Sequence, residues 1–280
     1  MDDSPVPSVK NAVSHSDTRR ESGPFAQFAV NWQVYHSPGV DRHYTAKTLS
    51  TAEAVVLLRH QPRFADRAVL DLGVGTGRTI PYLRPLARRY VCLDYSHTMV
   101  DHVRHHHAGA EVRWADMRDL SPWPEETFDF VFAANNVLDA VSHDDRLRVI
   151  SEVRRVLGAD GLFVFSSHNR AFHLAGRGPR LEYARNPLTQ VLLMGRYLRC
   201  WANHRRTAAG RRQTDHYALY DDSGHDFALI HYYITSDQQA AQLGAVGFQL
   251  VDVIDSEGRV LAAGDDGAAS PSLMYVARRR

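Results

Sequence analysis

The stretch that decides the fold runs from Val69 to Thr79 and reads Val-Leu-Asp-Leu-Gly-Val-Gly-Thr-Gly-Arg-Thr. Its apolar first half is typical of a buried strand, and three glycines follow at alternate positions: Gly73, Gly75 and Gly77. Glycines turn the backbone sharply and bring bare N–H groups against a ligand that a Cβ would push away. A helix predicted over 78–88 follows at once and points its positive N-terminal end at the same spot. The pattern predicts a nucleotide-type cradle at the carboxyl end of a strand.

Two details of this turn narrow the class of ligand. The glycine spacing differs from the Gly-x-Gly-x-x-Gly of dinucleotide sites, and no Gly-Lys-Ser/Thr follows, which excludes a P-loop. Asp71 stands two residues before Gly73, where its negative charge would repel a pyrophosphate. A ligand that carries a sulfonium and an ammonium tolerates that carboxylate. The turn therefore disfavours a nicotinamide oxidoreductase.

Two further carboxylates follow predicted strands. Asp94 closes the apolar run 90–94, where an acidic residue at the end of the second strand can accept both ribose hydroxyls. Asp116 follows a short third strand, 111–114, and is placed to accept an adenine amino group while Met117 packs on the ring. Each of the two alone is also explained as an ordinary strand-end or loop carboxylate.

Taken in order, Asp71 to Gly77, Asp94, Asp116 and the run Phe128-Asp129-Phe130-Val131-Phe132 resemble the motifs of class I S-adenosylmethionine-dependent methyltransferases. The resemblance covers residues 45–168 well and the last forty residues more loosely. It implies S-adenosyl-L-methionine as cofactor and an aromatic residue before the first strand near the methionine end; Tyr35 and Tyr44 are candidates, Tyr44 being the better placed, although plain packing explains either. The implied cofactor-binding residues are Tyr44, Asp71, Gly73, Gly75, Gly77, Thr79, Asp94, Tyr95, Asp116, Met117, Asn135 and Asn136.

The fold class predicted is α/β, with strands and helices alternating in a doubly wound, mostly parallel sheet. Helices are expected at 78–88, 97–106, 144–157 and 236–243, with Gly158 as a helix C-cap. Strands are expected at 67–72, 90–94, 111–114, 128–133 and 161–166. The resemblance implies two more strands, near 247–253 and 272–277, which complete a seven-stranded sheet whose last strand is inserted antiparallel.

The domain organisation follows from composition. Residues 1–23 are rich in Ser, Asp, Pro and Arg and predict a disordered tail. Residues 24–280 predict a single methyltransferase domain. Within it, about 169–235 exceeds what the core needs and contains two β-type runs, 215–220 and 226–233, which predict a hairpin. We interpret this helical and hairpin insertion as a lid over the substrate.

Candidate catalytic residues follow strands four and five, where open α/β sheets bind ligands. His168 can take a proton from an acceptor hydroxyl or amine near neutral pH, or orient the acceptor. Asp139 and Tyr232 are the other catalytic candidates, and the alternative for each loop residue is a cap of a helix or turn. Six lid arginines, 196, 199, 205, 206, 211 and 212, suggest an anionic acceptor, unless they simply face solvent.

Composition limits the partners. With 33 basic and 32 acidic residues, the net charge of +1 draws the chain to neither nucleic acid nor acidic membranes. No apolar run is long enough to span a membrane, and no signal peptide begins the sequence. The two cysteines do not make a disulfide framework, which fits a reducing cytoplasm. The run His105-His106-His107 lacks carboxylate or cysteine partners at ligand spacing, and no metal site is expected.

The sequence thus predicts an enzyme that transfers a methyl group to an oxygen, nitrogen or carbon nucleophile of a small-molecule acceptor. The alternatives are an RNA or protein methyltransferase and a non-catalytic S-adenosylmethionine-binding protein. Residues 135–138 read Asn-Asn-Val-Leu, which departs from the Asn/Asp-Pro-Pro-aromatic motif of exocyclic-amine enzymes. The identity of the acceptor and the oligomeric state stay open.

Overall fold

A computed structural model describes residues 48–280. The predicted tail over 1–23, the domain start at residue 24, and the candidates Tyr35 and Tyr44 lie outside the described residues. Among residues 48–280, no helix combines the length and apolar character that a membrane crossing requires.

The sheet is built on short apolar runs. The first five strands are β1 (Ala68–Leu72), β2 (Arg89–Asp94), β3 (Glu111–Trp114), β4 (Phe128–Ala133) and β5 (Leu157–Asn169). All five residues of β1 are buried, as expected for a central strand covered on both faces. Because neighbouring side chains point to opposite faces, Leu70 joins the hydrophobic core on one side and Val69 the core on the other.

The strand order confirms the predicted doubly wound arrangement. The sheet runs β3-β2-β1-β4-β5 with parallel pairing throughout. β9 (Phe248–Ile254) and β10 (Ser272–Arg279) complete the predicted seven strands, and β10 lies antiparallel between β5 and β9. The order reverses at β1, so the carboxyl ends of β1 and β4 flank the crevice in which such sheets bind ligands.

The helices follow the predicted periodicity with one marked exception. They are α1 (Thr51–His60), α2 (Ile80–Leu83), α3 (His97–His106), α4 (His143–Val156), α5 (Pro187–Arg206) and α6 (Ser236–Ala245). The helix predicted over 78–88 was wrong in length, because α2 spans only four residues. Pro85 follows it closely, and a proline disfavours helical geometry in the residue before it.

The transition into β5 also differs from expectation. Gly158 is not the C-cap of α4; Leu157 takes that position and already starts β5. The turn falls at Asp160, which has a φ of 60°. At its other end β5 continues to Asn169, so His168 belongs to the strand rather than to the loop that the sequence suggested. A strand holds a side chain more rigidly than a loop does.

Residues 170–235 contain the predicted hairpin. After α5 come the short strand β6 (Arg212–Gln213), then β7 (Ala218–Asp221) and β8 (Ile230–Ile234), which pair antiparallel. β8 also pairs parallel with the end of β5, where Tyr233 faces His168 and Ile234 faces Asn169. At this end of β5, one edge is paired with β10. β8 pairs with the opposite edge, beyond Ala133, where the pairing with β4 ends. These three strands bring the sheet to ten.

Candidate active site

The glycine turn after β1 has the backbone that the sequence predicted. Gly73, Gly75 and Gly77 have φ values of +62°, +56° and +85°, which residues with a Cβ rarely adopt. A Cβ at Gly73 would lie 2.2 Å from Cγ2 of Val137, so the loop after β4 closes tightly on this turn. The Gly75 N–H donates to Oδ2 of Asp94 over 2.9 Å. Ends of three strands are thereby joined around one crevice.

Asp71 lies inside this crevice as a buried carboxylate. Its Oδ2 accepts hydrogen bonds from the hydroxyls of Thr79 and Tyr90, the latter over 2.8 Å. Burial raises the pKa of the Asp71 carboxyl from 3.8 to about 6, although both hydrogen bonds and the charge of Arg78 oppose the shift. Arg78 itself is held by an ion pair with Glu53 of α1. The carboxylate is poised for a cationic partner.

The next two carboxylates stand where the sequence placed them. Asp94 ends β2, and its Oδ1 accepts the Ser96 N–H over 2.8 Å while Oδ2 accepts that of Gly75. Asp116 follows β3 and forms an ion pair of 2.6 Å with Arg118. Both carboxylates face the same cavity.

That cavity encloses about 1060 Å³ at the carboxyl ends of β1, β2 and β4. Nine of the twelve predicted cofactor residues line it: Asp71, Gly73, Gly75, Thr79, Asp94, Tyr95, Asp116, Met117 and Asn135. Gly77 lies just behind its wall, against the ring of His107. Sequence reasoning missed the apolar lining, which includes Leu93, Met99 and Val141. A flat aromatic ligand would pack against such side chains, but in sequence they are indistinguishable from core residues.

Two asparagines mark the loop after β4. Asn135 and Asn136 both have positive φ, 54° and 58°, a backbone that non-glycine residues adopt at a cost. The Asn136 N–H donates to the Ser166 hydroxyl over 2.6 Å, which fixes the loop on β5. Its side-chain Oδ1 is buried and has no hydrogen-bond partner among residues 48–280. A buried acceptor of this kind is costly unless a ligand satisfies it.

His168 stands next to Asn136 at the end of β5. Its Nδ1 lies 2.7 Å from Oδ2 of Asp139, and its Nε2 lies 3.3 Å from the Asn136 amide nitrogen. Asp139 also accepts the backbone N–H of His168. The carboxylate therefore fixes both the ring and the strand, and it directs Nε2 toward Asn136.

Comparison with known proteins shows that part of the chain is similar to methyltransferases. A methyltransferase-domain model matches residues 70–165. A probable S-adenosylmethionine-dependent methyltransferase of Mycobacterium tuberculosis is 34% identical over 124 residues, 44% of this chain and 43% of the relative. One from Mycolicibacterium smegmatis is 33% identical over 129 residues, 46% and 48% of the two chains. The chain thus spans less than half the length of these curated relatives.

These matches support a class I S-adenosylmethionine-dependent methyltransferase domain within residues 70–165. Solved structures share the fold over nearly the whole chain. A 1,6-didemethyltoxoflavin-N1-methyltransferase of Burkholderia thailandensis, solved with 1,6-didemethyltoxoflavin and S-adenosylhomocysteine, has a TM-score of 0.58 at 17% identity and covers 93% of this chain and 92% of its own. The CcbJ methyltransferase of Streptomyces caelestis has a TM-score of 0.55 at 22% identity, with coverages of 88% and 95%. S-adenosylmethionine is the cofactor, and we call the cavity at β1, β2 and β4 the donor cavity.

This methyltransferase has a second large cavity, about 1490 Å³, beside the donor cavity. Asn136 and His168 form its inner wall, and residues 172–182, α5 and the β7–β8 turn form most of the remainder. A smaller cavity shares Asn135 and Arg78 with the donor cavity and shares Asn136 and Ser272 with the second one. The asparagine pair is therefore where the two large cavities approach each other. We call the second one the acceptor cavity.

Asp139 does not reach either large cavity, which alters the role expected for it. Its side chain is fully buried and forms an ion pair of 2.6 Å with Arg146 of α4, also fully buried. Burial would raise the pKa of Asp139, but the charge of Arg146 and the hydrogen bond of His168 outweigh it and hold that pKa below its usual value. Asp139 is thus an ionised group that fixes the ring of His168 from outside the cavity.

Sequence reasoning missed Arg146. Its remaining N–H groups donate to Ser167, Gln239 and Gln242, and its guanidinium lies 4.6 Å from the ring centre of Tyr232. An arginine on an amphipathic helix ordinarily faces solvent, and only the tertiary structure shows that this one faces inward.

Tyr232 is not in the acceptor cavity. Its ring is fully buried and its hydroxyl lies 2.9 Å from Nδ1 of His143 on the far side of β8. Tyr233 lines the cavity instead. Side chains alternate along a strand, so a shift of one residue exchanges the two faces.

Three of the six arginines predicted to bind an anion are otherwise engaged. Arg196 and Arg199 form ion pairs with Asp226, and Arg211 lies 3.8 Å from Asp221. Arg196 still borders the acceptor cavity, together with two exposed arginines outside the predicted group, Arg177 and Arg180.

Asp222 enters the acceptor cavity from the β7–β8 turn. Its Oδ2 lies 2.7 Å from Nδ1 of the buried His231 and accepts the Tyr233 hydroxyl over 2.9 Å. Burial opposes ionisation of both partners, but their mutual attraction outweighs it: the pKa of Asp222 lies well below its usual value and that of His231 is raised. A second imidazole–carboxylate pair therefore stands opposite Asp139 and His168.

Proposed function

We propose that this chain transfers a methyl group from S-adenosylmethionine to an oxygen, nitrogen or carbon nucleophile of a small acceptor, by in-line displacement. The observation that carries the proposal is the position of His168. Its Nε2 borders the acceptor cavity beside Asn136, where the donor cavity comes closest. Alignment of donor and nucleophile is most of what such a reaction requires, because the donor is already activated.

The residues of the donor cavity fit the cofactor, which supplies an activated methyl group on a sulfonium. Asp71 would face the ammonium and sulfonium end, because its carboxylate is buried and otherwise bound only by neutral hydroxyls. Asp94 and Tyr95 would hold the ribose, and Asp116 with Met117 the adenine. The backbone of Gly73, Gly75 and Gly77, with Thr79, forms the floor. The buried Oδ1 of Asn136 is a ready acceptor for an N–H of the methionine end.

His168 would bind the acceptor's nucleophile, either taking its proton or orienting it. Asp139 carries the negative charge that holds Nδ1–H, which leaves the lone pair of Nε2 on the cavity side. An amine needs no base in the transition state, whereas a hydroxyl or carbon acid benefits from one. His168 and Asp139 would act as a pair with each of these acceptors.

The lining of the acceptor cavity supports a small acceptor rather than RNA or protein. Phe172, Tyr197 and Tyr233 offer aromatic walls, and Arg177 with Arg180 offers positive charge at the rim. These groups suit an aromatic or anionic metabolite. The Burkholderia thailandensis structure with bound 1,6-didemethyltoxoflavin supports the same class of acceptor.

The domain boundaries follow from the same proposal. Residues 24–280 would form one methyltransferase domain, in which residues 169–235 close the acceptor cavity as a lid. The pairing of β8 with β5 supports a lid that is anchored in the sheet rather than a separate domain.

The test is turnover of radiolabelled S-adenosylmethionine against a panel of aromatic and anionic acceptors, with RNA and protein included. His168→Ala should lower kcat by about 10²-fold or more, the usual worth of a positioned acid or base, and leave the affinity for S-adenosylhomocysteine unchanged. His105→Ala is the matched control, since His105 is exposed at the end of α3. Unchanged kcat in His168→Ala would refute the proposal, and so would turnover on RNA or protein alone.

A further inference from the structure

Three side chains from two elements converge beside the acceptor cavity: His168 at the end of β5, and Asp222 and His231 of the β7–β8 hairpin. One potential ligand atom from each lies within 4.8 Å of the other two. Oδ2 of Asp222 lies 2.7 Å from Nδ1 of His231 and 3.7 Å from Nε2 of His168. Among residues 48–280, this is the one such group of three or more histidine, cysteine or carboxylate side chains.

The hydrogen bonding of His168 defines what it presents to Asp222. Asp139 is ion-paired with Arg146 and also accepts the His168 backbone N–H, so it accepts the Nδ1 proton as well. The ring then directs Nε2 toward Oδ2 of Asp222 over 3.7 Å. A cation that lies between these two atoms could be bound by both.

The charges around Asp222 make the same point. In the described part of the chain, the ion-pair partners of its carboxylate are His168 and His231, with no lysine or arginine. Asp139, by contrast, has Arg146. A buried carboxylate requires a compensating positive charge. One protonated imidazole would suffice to compensate the charge of Asp222. Two imidazoles and a carboxylate that converge on one point form in addition a set of metal ligands.

We infer that His168, Asp222 and His231 bind a divalent transition-metal ion at the wall of the acceptor cavity. Two imidazoles and one carboxylate suit zinc, iron(II) or cobalt(II), for which ligand bonds are about 2.0–2.2 Å. With such bonds, the 3.7 Å between Nε2 and Oδ2 corresponds to an angle of roughly 120° at the ion. The 2.7 Å between Oδ2 and Nδ1 of His231 corresponds to a narrower one.

The groups behind the ligands support this assignment. Metal-binding histidines usually donate their other ring N–H to a carboxylate, as His168 does to Asp139. The Asp222 carboxylate is held in place by the Tyr233 hydroxyl and by the Gly224 N–H, which donates to Oδ1 over 2.8 Å. Ligands oriented in this way bind without a large ordering cost.

The role of the ion rests on the proposed function. His168 and Asp222 line the acceptor cavity, so a hydroxyl oxygen of the acceptor could complete the coordination. A bound divalent cation would make such a hydroxyl more acidic, so that its proton passes to solvent water and its oxygen takes the methyl group as S-adenosylhomocysteine leaves. His168 would then act as a ligand, and the ion would orient the nucleophile in its place.

The test is binding of Co²⁺ to the full-length, chelator-treated protein, followed by visible absorption and competition with Zn²⁺. We expect one equivalent to give the absorption of a four- or five-coordinate site. Asp222→Asn and His231→Gln should abolish that absorption. Asp139→Asn should weaken binding by about 10–100-fold, the usual effect of losing a group that orients a ligand. A His105→Gln/His106→Gln double variant, on the exposed histidines of α3, should bind like the wild type.

Circular dichroism checks that each variant is folded. Of the ligand variants, His231→Gln is the one expected to disturb folding least. Absence of the cobalt absorption in the folded wild type would overturn the inference, as would equal binding by folded Asp222→Asn. Full turnover of the chelator-treated enzyme would show that the ion has no catalytic role. If His168→Ala loses turnover under the same conditions, the proposed methyl transfer still holds without the ion.

Discussion

The guanidinium of Arg146 donates to Oδ1 of Asp139 over 2.6 Å, and neither side chain is exposed to solvent. This contact joins α4 to the short 3-10 helix Val137–Ala140 that follows β4. Because Oδ2 of the same carboxylate holds His168, the pair connects the core of the fold to the wall of the acceptor cavity. The position of the reactive imidazole is therefore set by a buried charge pair.

Arg146→Met should lower the free energy of unfolding by about 3–5 kcal/mol, because it leaves the Asp139 carboxylate buried without its arginine partner. Urea denaturation measures this. The double variant Arg146→Met/Asp139→Leu should recover part of the loss, since it removes both charges. Arg148→Met, on the exposed side of the same helix, should stay within about 0.5 kcal/mol of the wild type. A single variant as stable as that control would contradict the assignment.

Asp139→Asn should lower kcat about 10²-fold or more while leaving S-adenosylhomocysteine affinity within a few-fold. An amide can donate as well as accept, so it no longer selects the His168 tautomer with its proton on Nδ1. Steady-state kinetics and calorimetry measure the two quantities. A kcat equal to that of the wild type would show that His168 does not depend on this carboxylate.

Asp71 should make folding stability fall as pH rises. Its pKa of about 6 in the folded protein exceeds the 3.8 of an ordinary aspartate, so folding favours the protonated form. The resulting penalty is absent below pH 4, grows between pH 4 and 6 and is complete above 6, where two units correspond to about 3 kcal/mol. Asp71→Asn should therefore be more stable than the wild type at pH 7.5, and the difference should shrink toward pH 4. Asp101→Asn, on an exposed carboxylate, should show no such trend.

The same carboxylate should make cofactor affinity depend on pH in the opposite sense. The ionised form would pair with the ammonium of S-adenosylhomocysteine, so the dissociation constant should rise as pH falls through 6. Isothermal titration calorimetry at pH 7.5 and 5.5 measures it. Asp71→Asn should bind weakly at both values. A wild-type dissociation constant that does not change with pH would place the ammonium elsewhere.

Gly73→Ala should abolish tight cofactor binding. Its added Cβ would lie 2.2 Å from Cγ2 of Val137 and would sit on a residue whose φ is +62°. Adding Val137→Ala removes the Cγ2 atom and should restore part of the affinity, because only the backbone strain and a contact of 3.1 Å with Cβ of residue 137 are left. Gly244→Ala in α6 is the control: nothing lies within 4 Å of its added Cβ, and it should stabilise the protein by about 0.5–1 kcal/mol. Wild-type affinity in Gly73→Ala would show that the turn adapts.

Arg177→Gln/Arg180→Gln should raise KM for an anionic acceptor about tenfold or more, with little change in kcat. Both arginines border the acceptor cavity at its exposed rim, away from His168, so they bind substrate without touching the reacting atoms. Added salt should weaken the wild type more than the variant. Arg205→Gln/Arg206→Gln, at the exposed end of α5, should leave KM unchanged. An equal KM in both double variants would argue against an anionic acceptor.

The donor cavity was predictable because its determinants are local. Gly73, Gly75 and Asp71 act through backbone conformation and through their distance from a strand end, and both are properties of a short segment. Asp94 and Asp116 follow the same rule on the next two strands. Two predictions differ from the structure. The helix over 78–88 was predicted too long because the effect of Pro85 was not taken into account. Tyr232 was predicted to line the crevice, whereas its neighbour Tyr233 does.

The sequence by itself predicted the S-adenosylmethionine site and the alternation of strands and helices in the core, because strand periodicity and glycine geometry are encoded within a few residues. The tertiary structure alone decided the chemistry at the acceptor wall. Arg146, Asp139 and His168 come from three elements, while Asp222 and His231 come from a hairpin whose pairing with β5 brings them opposite His168. Buried charges must find partners across the fold, and nothing in the local sequence states which partner each one meets.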